Sequence, residues 1–128
     1  MKSEVRLFFT STPAGDDEMT DQSQFENAAD DTLEHFMDVI DDILGDVLEV
    51  DFEGGMLTIE LESGGQYIIN KHNPSRQIWM SSPVSGASHF DLDTESGAWV
   101  NTRGAGKLSD MLSDELASAT GRGAVRLD

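Results

Sequence analysis

Residues 66–89 read QYIINKHNPSRQIWMSSPVSGASH. Tyr67, Ile68 and Ile69 are strong β-formers. Asn73-Pro74 interrupts the run, because Asn-Pro initiates turns and proline has no backbone N–H to donate. From Arg76 to Ser81 the pattern alternates, which puts Ile78 and Met80 on one face and Gln77, Trp79 and Ser81 on the other. Pro83 and Gly86 close the segment. The stretch therefore predicts strand, turn, strand, loop and the start of another strand.

The face taken by Trp79 matters most. If Ile78 and Met80 point into a core, Trp79 points out of it beside Gln77. By the same pleat Ile68 and Asn70 share one face of the preceding strand. A large aromatic among amides on an open sheet face marks a contact surface, and tryptophan is a leading hot-spot residue. The pattern alone leaves the other register open, in which Trp79 is a core residue.

Composition sets outer limits. A chain of 128 residues is one domain by length. It contains no cysteine, which excludes disulfides, thiolate metal sites and cysteine nucleophiles. No apolar run approaches the roughly 20 residues needed to span a bilayer. A formal net charge of −17 argues against nucleic acid and anionic membranes as partners and suits cations or a basic protein surface. The charge is uneven: no Lys or Arg occurs between Arg6 and Lys71, where most of the acids lie.

Residues 1–20 read as a flexible arm, with a possible short strand at Leu7-Phe8-Phe9 and a polar, Pro/Gly-containing run after it. Lys2 and Arg6 among Glu4, Asp16, Asp17 and Glu18 make a poor transit peptide, which implies a processed form or a source that needs no presequence. The remaining residues, 21–128, form the domain. A helix is predicted from about Gln22 to Leu44, with Asp21 or Ser23 as its cap and Gly45 as its stop. Phe25, Ala29, Thr32, Leu33, Ile40 and Ile43 fall within about 60° of Phe36 on its wheel. Asp30, Asp31, Glu34, Asp38, Asp41 and Asp42 fall on the other side. The pairs Asp30/Glu34, Glu34/Asp38 and Asp38/Asp42 are like-charged at i,i+4 and each costs about 0.2–0.5 kcal/mol. Asp41 and Asp42 also sit at the helix's negative end. On composition alone this is a solvated acidic face; the sharper reading is a ridge that attracts cations.

Leu48, Val50 and Phe52 alternate with Glu49, Asp51 and Glu53, a half-buried strand that continues the acids after Asp46. Gly54-Gly55 predicts a hairpin turn into Leu57, Ile59 and Leu61, and Gly64-Gly65 turns into the Tyr67 strand. Trp99 sits in a short apolar strand and reads as core. A second helix runs from Leu108 to Thr120 with Leu108, Met111, Leu112, Glu115, Leu116 and Ala119 as its stripe and Gly121 as its cap. Gly104-Ala105-Gly106-Lys107 is no phosphate loop, because Asn101 stands where its first glycine is needed and Leu108 follows the lysine. The expected fold is α+β: a two-layer sandwich of an antiparallel sheet with the N- and C-terminal helices packed on one face and Trp79 on the open one.

No hydrolase constellation is present, and His35, His72 and His89 are scattered. Many carboxylates without cysteine are hard oxygen donors suited to Fe²⁺, Fe³⁺, Mn²⁺, Ca²⁺ or Mg²⁺. Carboxylates along one helix cannot wrap an ion, so weak, hydrated, multi-site binding is expected.

Ile69-Asn70-Lys71, Arg76-Gln77-Ile78-Trp79-Met80-Ser81-Ser82-Pro83, Ser85-Gly86 and Phe90-Asp91 together resemble the frataxin signature. The resemblance extends from about Gln24 to Gly121. It implies an iron-binding accessory protein of iron–sulfur cluster assembly, which binds a complex of cysteine desulfurase and scaffold protein and promotes sulfur transfer. It makes the acidic face a functional ridge, with iron (Fe²⁺ or Fe³⁺) held weakly by Asp30, Asp31, Glu34, Asp38, Asp41, Asp42, Asp46, Glu49 and Asp51. It makes Asn70, Gln77, Trp79 and His89 the partner-binding set. Family members commonly carry a basic residue and Tyr where this chain has His89 and Phe90, so any grip there is weaker or needs a protonated imidazole. The alternative implied role is a ferroxidase or iron store resting on Glu34, Asp38, Asp41 and Asp42 with oligomerisation; a third is an acidic interaction module without a metal. A monomer that forms iron-dependent oligomers is expected, in the mitochondrial matrix of a eukaryote or the cytoplasm of a bacterium.

Overall fold

The turn that breaks the Tyr67 run sets the geometry of the sheet centre. In the computed structural model, which describes residues 16–104, 106–122 and 125–127, Asn73–Ser75 form one 3-10 turn with Pro74 near its start. Arg76 closes it in the left-handed region at φ 54°, its N–H bonded to the Asn73 carbonyl at 3.1 Å. This joins β3 (Gln66–His72) to β4 (Gln77–Ser82) and pairs Asn70 with Trp79 and His72 with Gln77.

Around that hairpin stand β1 (Leu48–Glu53), β2 (Met56–Leu61), β5 (Gly86–Leu92) and β6 (Trp99–Asn101). The six strands lie in sequence order and all pair antiparallel. Gly54 and Gly55 both have positive φ, 61° and 80°, the backbone that a two-residue hairpin loop demands. Two helices complete the layer: α1 (Asp16–Leu44) and α2 (Leu108–Thr120).

One core lies between helices and sheet. Tyr67, Ile69, Ile78, Met80 and Phe90 enter it from the strands, Phe25, Ala29, Leu33, Phe36, Ile40 and Leu44 from α1, and Leu108, Leu112 and Leu116 from α2. Val125 and Leu127 of the tail are buried with them. Trp99 is core as expected, its N–H donated to Thr32 Oγ1 at 3.0 Å and its ring edge-on to Phe25 at 5.9 Å. The fold is thus the α+β sandwich with both helices on one face. Among the described residues no helix is long and apolar enough to cross a membrane.

Glu115 explains itself only in three dimensions. It sits in the apolar stripe of α2, yet its Oε1 accepts the Tyr67 hydroxyl at 2.9 Å and the Ser82 hydroxyl at 2.5 Å, and its Oε2 accepts Ser85 Oγ at 2.7 Å. Ser82 Oγ in turn accepts the Val84 and Ser85 N–H groups, so α2 is pinned to β3 and to the turn after β4.

Several boundaries and faces differ from the sequence reading. Helix α1 spans Asp16–Leu44 rather than opening near Gln22, so positions 21 and 23 lie inside it and not at its start, and residues 16–20 of the expected arm are helical. The rest of that arm, with Leu7-Phe8-Phe9, lies outside the described residues. Ile43, placed in the apolar stripe, is 45% exposed, and Ala119 is exposed too. A helical wheel assigns an angle; it does not say whether anything packs opposite that angle at the helix end.

Candidate functional site

The open sheet face carries the ordered aromatic group. Trp79 projects from β4 between β3 and β5, and is half-buried by its neighbours rather than by a core. His72 from β3 stacks on the indole with ring centroids 3.6 Å apart and planes at 10°. His89, paired with Trp79 across β4 and β5, stacks on it at 4.3 Å and 13°. The indole N–H donates to Gln77 Oε1 at 2.8 Å, and Gln77 Nε2 donates to Asp91 Oδ1 at 2.9 Å. His72 Nδ1 lies 3.0 Å from Ser75 Oγ. Asn70 stands beside Trp79 in the register and its Nδ2 makes a long 3.3 Å bond to the Lys71 carbonyl.

The structure therefore brings Asn70, Gln77, Trp79 and His89 to one face. It adds His72, Ser75 and Asp91, which the sequence reading left out. A signal for His72 was present, since it lies two residues beyond Asn70 on the same face of β3. No periodicity within one strand could have shown that it stacks on Trp79.

The acids divide into two groups. Asp31, Glu34, Asp38, Asp41 and Asp42 are exposed along α1. Asp30 belongs to the same face but is engaged by Lys71 Nζ, 3.1 Å from Oδ1 and 3.3 Å from Oδ2. Glu49 and Asp51 stand on edge strand β1, Glu49 opposite Glu60 and Asp51 opposite Thr58. Asp46, between α1 and β1, accepts Arg122 Nη2 at 2.7 Å, and that bond holds its carboxyl below the usual carboxylate range. A shallow groove at the corner is lined by Asp46, Glu49, Glu60 and Glu62. Among the described residues no three His, Asp or Glu side chains converge to hold a metal ion. Paired carboxylates at i,i+4 on an exposed helix present charge to a hydrated cation without enclosing it.

His35 lies apart from both groups. It is exposed and borders a cavity of about 380 Å³ with Asp31, Thr32, Trp99 and Lys107.

The chain is similar to known proteins along most of its length. The model of the frataxin-like domain matches residues 18–122. Mitochondrial frataxin of Arabidopsis thaliana is 38% identical over 123 residues, 91% of this chain and 66% of that protein, so the chain spans just under two thirds of its length. The iron–sulfur cluster assembly protein CyaY of Pseudomonas fluorescens SBW25 is 37% identical over 102 residues, covering 78% of this chain and 89% of that one. Among solved structures, a trimeric frataxin from Saccharomyces cerevisiae, complexed with ferrous iron, superposes with a TM-score of 0.65 at 38% identity, over 73% of this chain and 86% of the other. With the domain model covering most of its length and relatives of this similarity in plants, yeast and bacteria, the chain belongs to the frataxin family.

Proposed function

We propose that this chain serves iron–sulfur cluster assembly as an iron-binding accessory protein that docks on a cysteine desulfurase–scaffold complex and promotes sulfur transfer. The observation that carries the reading is the fixed indole of Trp79 on an open sheet face, flanked by Asn70, Gln77 and His89. A rigid aromatic ringed by polar groups is what a partner can bury with little loss of freedom. The exposed carboxylates of α1, with Glu49 and Asp51, supply the second element: a negative edge for Fe²⁺ or Fe³⁺ and for basic partner surface. Iron is cargo here, held by single carboxylates and water, to be delivered or sensed at the scaffold. The protein acts in the mitochondrial matrix of a eukaryote or the cytoplasm of a bacterium.

The test is anaerobic sulfide production by the desulfurase–scaffold complex, with and without the chain and its Trp79→Ala form, at several Fe²⁺ levels. A rate change that Trp79→Ala abolishes supports docking through the sheet face. No rate change at saturating chain rejects the regulatory role.

A second reading, oxidation and storage of iron by an oligomer through Glu34, Asp38, Asp41 and Asp42, draws support from the trimeric yeast relative complexed with ferrous iron. Oxygen uptake with Fe²⁺ no faster than in buffer rejects it.

A further inference from the structure

Neither face of the Trp79 indole is open to a partner. The two imidazoles reach it from opposite neighbouring strands, His72 from β3 and His89 from β5. At centroid separations of 3.6 and 4.3 Å and near-parallel planes, no further ring can enter on either side. The indole N–H is already given to Gln77. What Trp79 can offer outward is the edge of its ring, held in one rotamer from both sides.

We propose that His72 and His89 are positioning residues that hold Trp79 as a preformed docking edge, and that the charge on the two imidazoles sets how tightly this edge docks. The inference rests on the reading of Trp79 as a docking residue. It gives His89 a different part from that of a free surface cation, because its ring is committed to the indole.

The first half follows from preorganisation. An exposed tryptophan on a strand samples several rotamers, and docking then loses that freedom; a stacked one has already lost it. The second half follows from histidine chemistry. Histidine is the side chain that changes charge in the physiological range. As neutral rings the pair add no charge to the face. As imidazolium ions they still favour the indole faces through cation–π attraction, so the clamp stays closed. Docking must then strip water from two cations.

One acid shares the face with the pair. Asp91 lies on the face of β5 with His89; its carboxylate receives Gln77 Nε2 and makes no salt bridge with either imidazole among the described residues. Arg103, after β6, lines a small cavity with His89 and adds like charge. Around His72 the contacting groups are Trp79 and Ser75, with Gln77 across the strand pair, all without charge. Arg76 beyond the turn donates its Nε to Gln22, and Lys71 passes to the other side to meet Asp30. Desolvation of the charged rings therefore acts in one direction: docking weakens as pH falls.

Two measurements on the full chain test this. The first isolates the Trp79 fluorescence as the difference between the parent protein and Trp79→Phe, since Trp99 emits as well. A stacked imidazole quenches indole more strongly once protonated, so the Trp79 signal should fall as the pH is lowered, and His72→Gln/His89→Gln should flatten the curve. The second is affinity for the desulfurase–scaffold complex. As the pH is lowered the parent should lose about five-fold or more beyond the loss shown by the double Gln variant. His72→Phe/His89→Phe keeps two stacked rings without charge; it should bind more tightly than the Gln pair at every pH and lose the parent's excess pH response. Equal pH responses in parent and Gln pair, with Trp79→Ala still defective, overturn the proposal and leave docking through Trp79 intact. Unaltered binding by Trp79→Ala overturns the docking reading and the proposal with it.

Discussion

Glu115 Oε1 accepts the Tyr67 hydroxyl at 2.9 Å, tying α2 to β3 between residues 48 apart in the chain. Tyr67 is fully buried, and burial first, then the neighbouring Glu115 carboxylate, pushes its phenol up to about 12. An ordinary tyrosine, like Tyr67 in the unfolded chain, titrates near 10. The native state therefore keeps its proton over an interval in which the unfolded chain has lost it. The stabilisation is complete below about pH 10 and is lost as pH rises toward 12, an effect of roughly 2–3 kcal/mol. Tyr67 is the only tyrosine, so tyrosinate absorbance reports this group alone, and urea unfolding across the same interval reports the stability. A phenol that titrates near 10 in the folded protein refutes the prediction.

Removing the acceptor should be worse than weakening it. Glu115→Ala leaves the Tyr67, Ser82 and Ser85 hydroxyls without their common partner, two of them buried. Stranding buried donors of this kind costs about 2–4 kcal/mol, while Glu115→Gln, which keeps a carbonyl oxygen, should cost about half as much. Equal losses in chemical denaturation would mean that volume, not hydrogen bonding, sets the effect.

The acidic helix should trade stability for function. Glu34→Gln with Asp38→Asn relieves the repulsion in Asp30/Glu34, Glu34/Asp38 and Asp38/Asp42. At about 0.2–0.5 kcal/mol per pair the variant should gain about 0.6–1.5 kcal/mol at low salt, and less in high salt. Fe²⁺ binding, followed by anaerobic titration, should weaken in the same variant. A stability gain with unchanged iron binding would assign the metal to other carboxylates.

Arg122 masks one member of the ridge. Its bond to Asp46, the largest cause, holds that carboxyl below the ordinary range; Asp46 thus stabilises the fold above the unfolded-state value and loses that contribution as pH falls through the folded one. The pair is exposed, so its net worth is small and the thermal midpoint of Arg122→Ala should move little. The informative readout is the Asp46 carboxyl titration by NMR, which should shift upward in Arg122→Ala. The freed carboxylate should also strengthen iron binding at the corner with Glu49. An unmoved titration would show that the backbone, not Arg122, sets Asp46.

Much of this molecule can be read from local pattern. Alternation from Gln77 to Ser82 put Trp79 on one face with Gln77 and opposite Ile78 and Met80, because successive side chains on a strand point to opposite sides; that this face is the open one came from the packing of the sheet. The bounds of α2, its Gly121 cap and the burial of Trp99 also follow from periodicity and from where glycine relieves the backbone. The start of α1 did not, because the acidic residues after Asp16 have neither a strong cap nor an apolar stripe to mark where the helix opens.

Local pattern settles which residues share a face and where the charge lies: Trp79 with Gln77, the acids opposite Leu33 and Phe36, the six strands and two helices. Which neighbours those faces acquire is settled only when the elements pack together. The stacking of His72 and His89 on Trp79, the engagement of Asp30 by Lys71 and of Asp46 by Arg122, and the gathering of three hydroxyls on Glu115 all join residues from different elements. The physical reason is that periodicity is a property of one segment's backbone, whereas contact depends on strand register and on how the helices lie across the sheet. Turn geometry sets the first, and burial of the whole core sets the second.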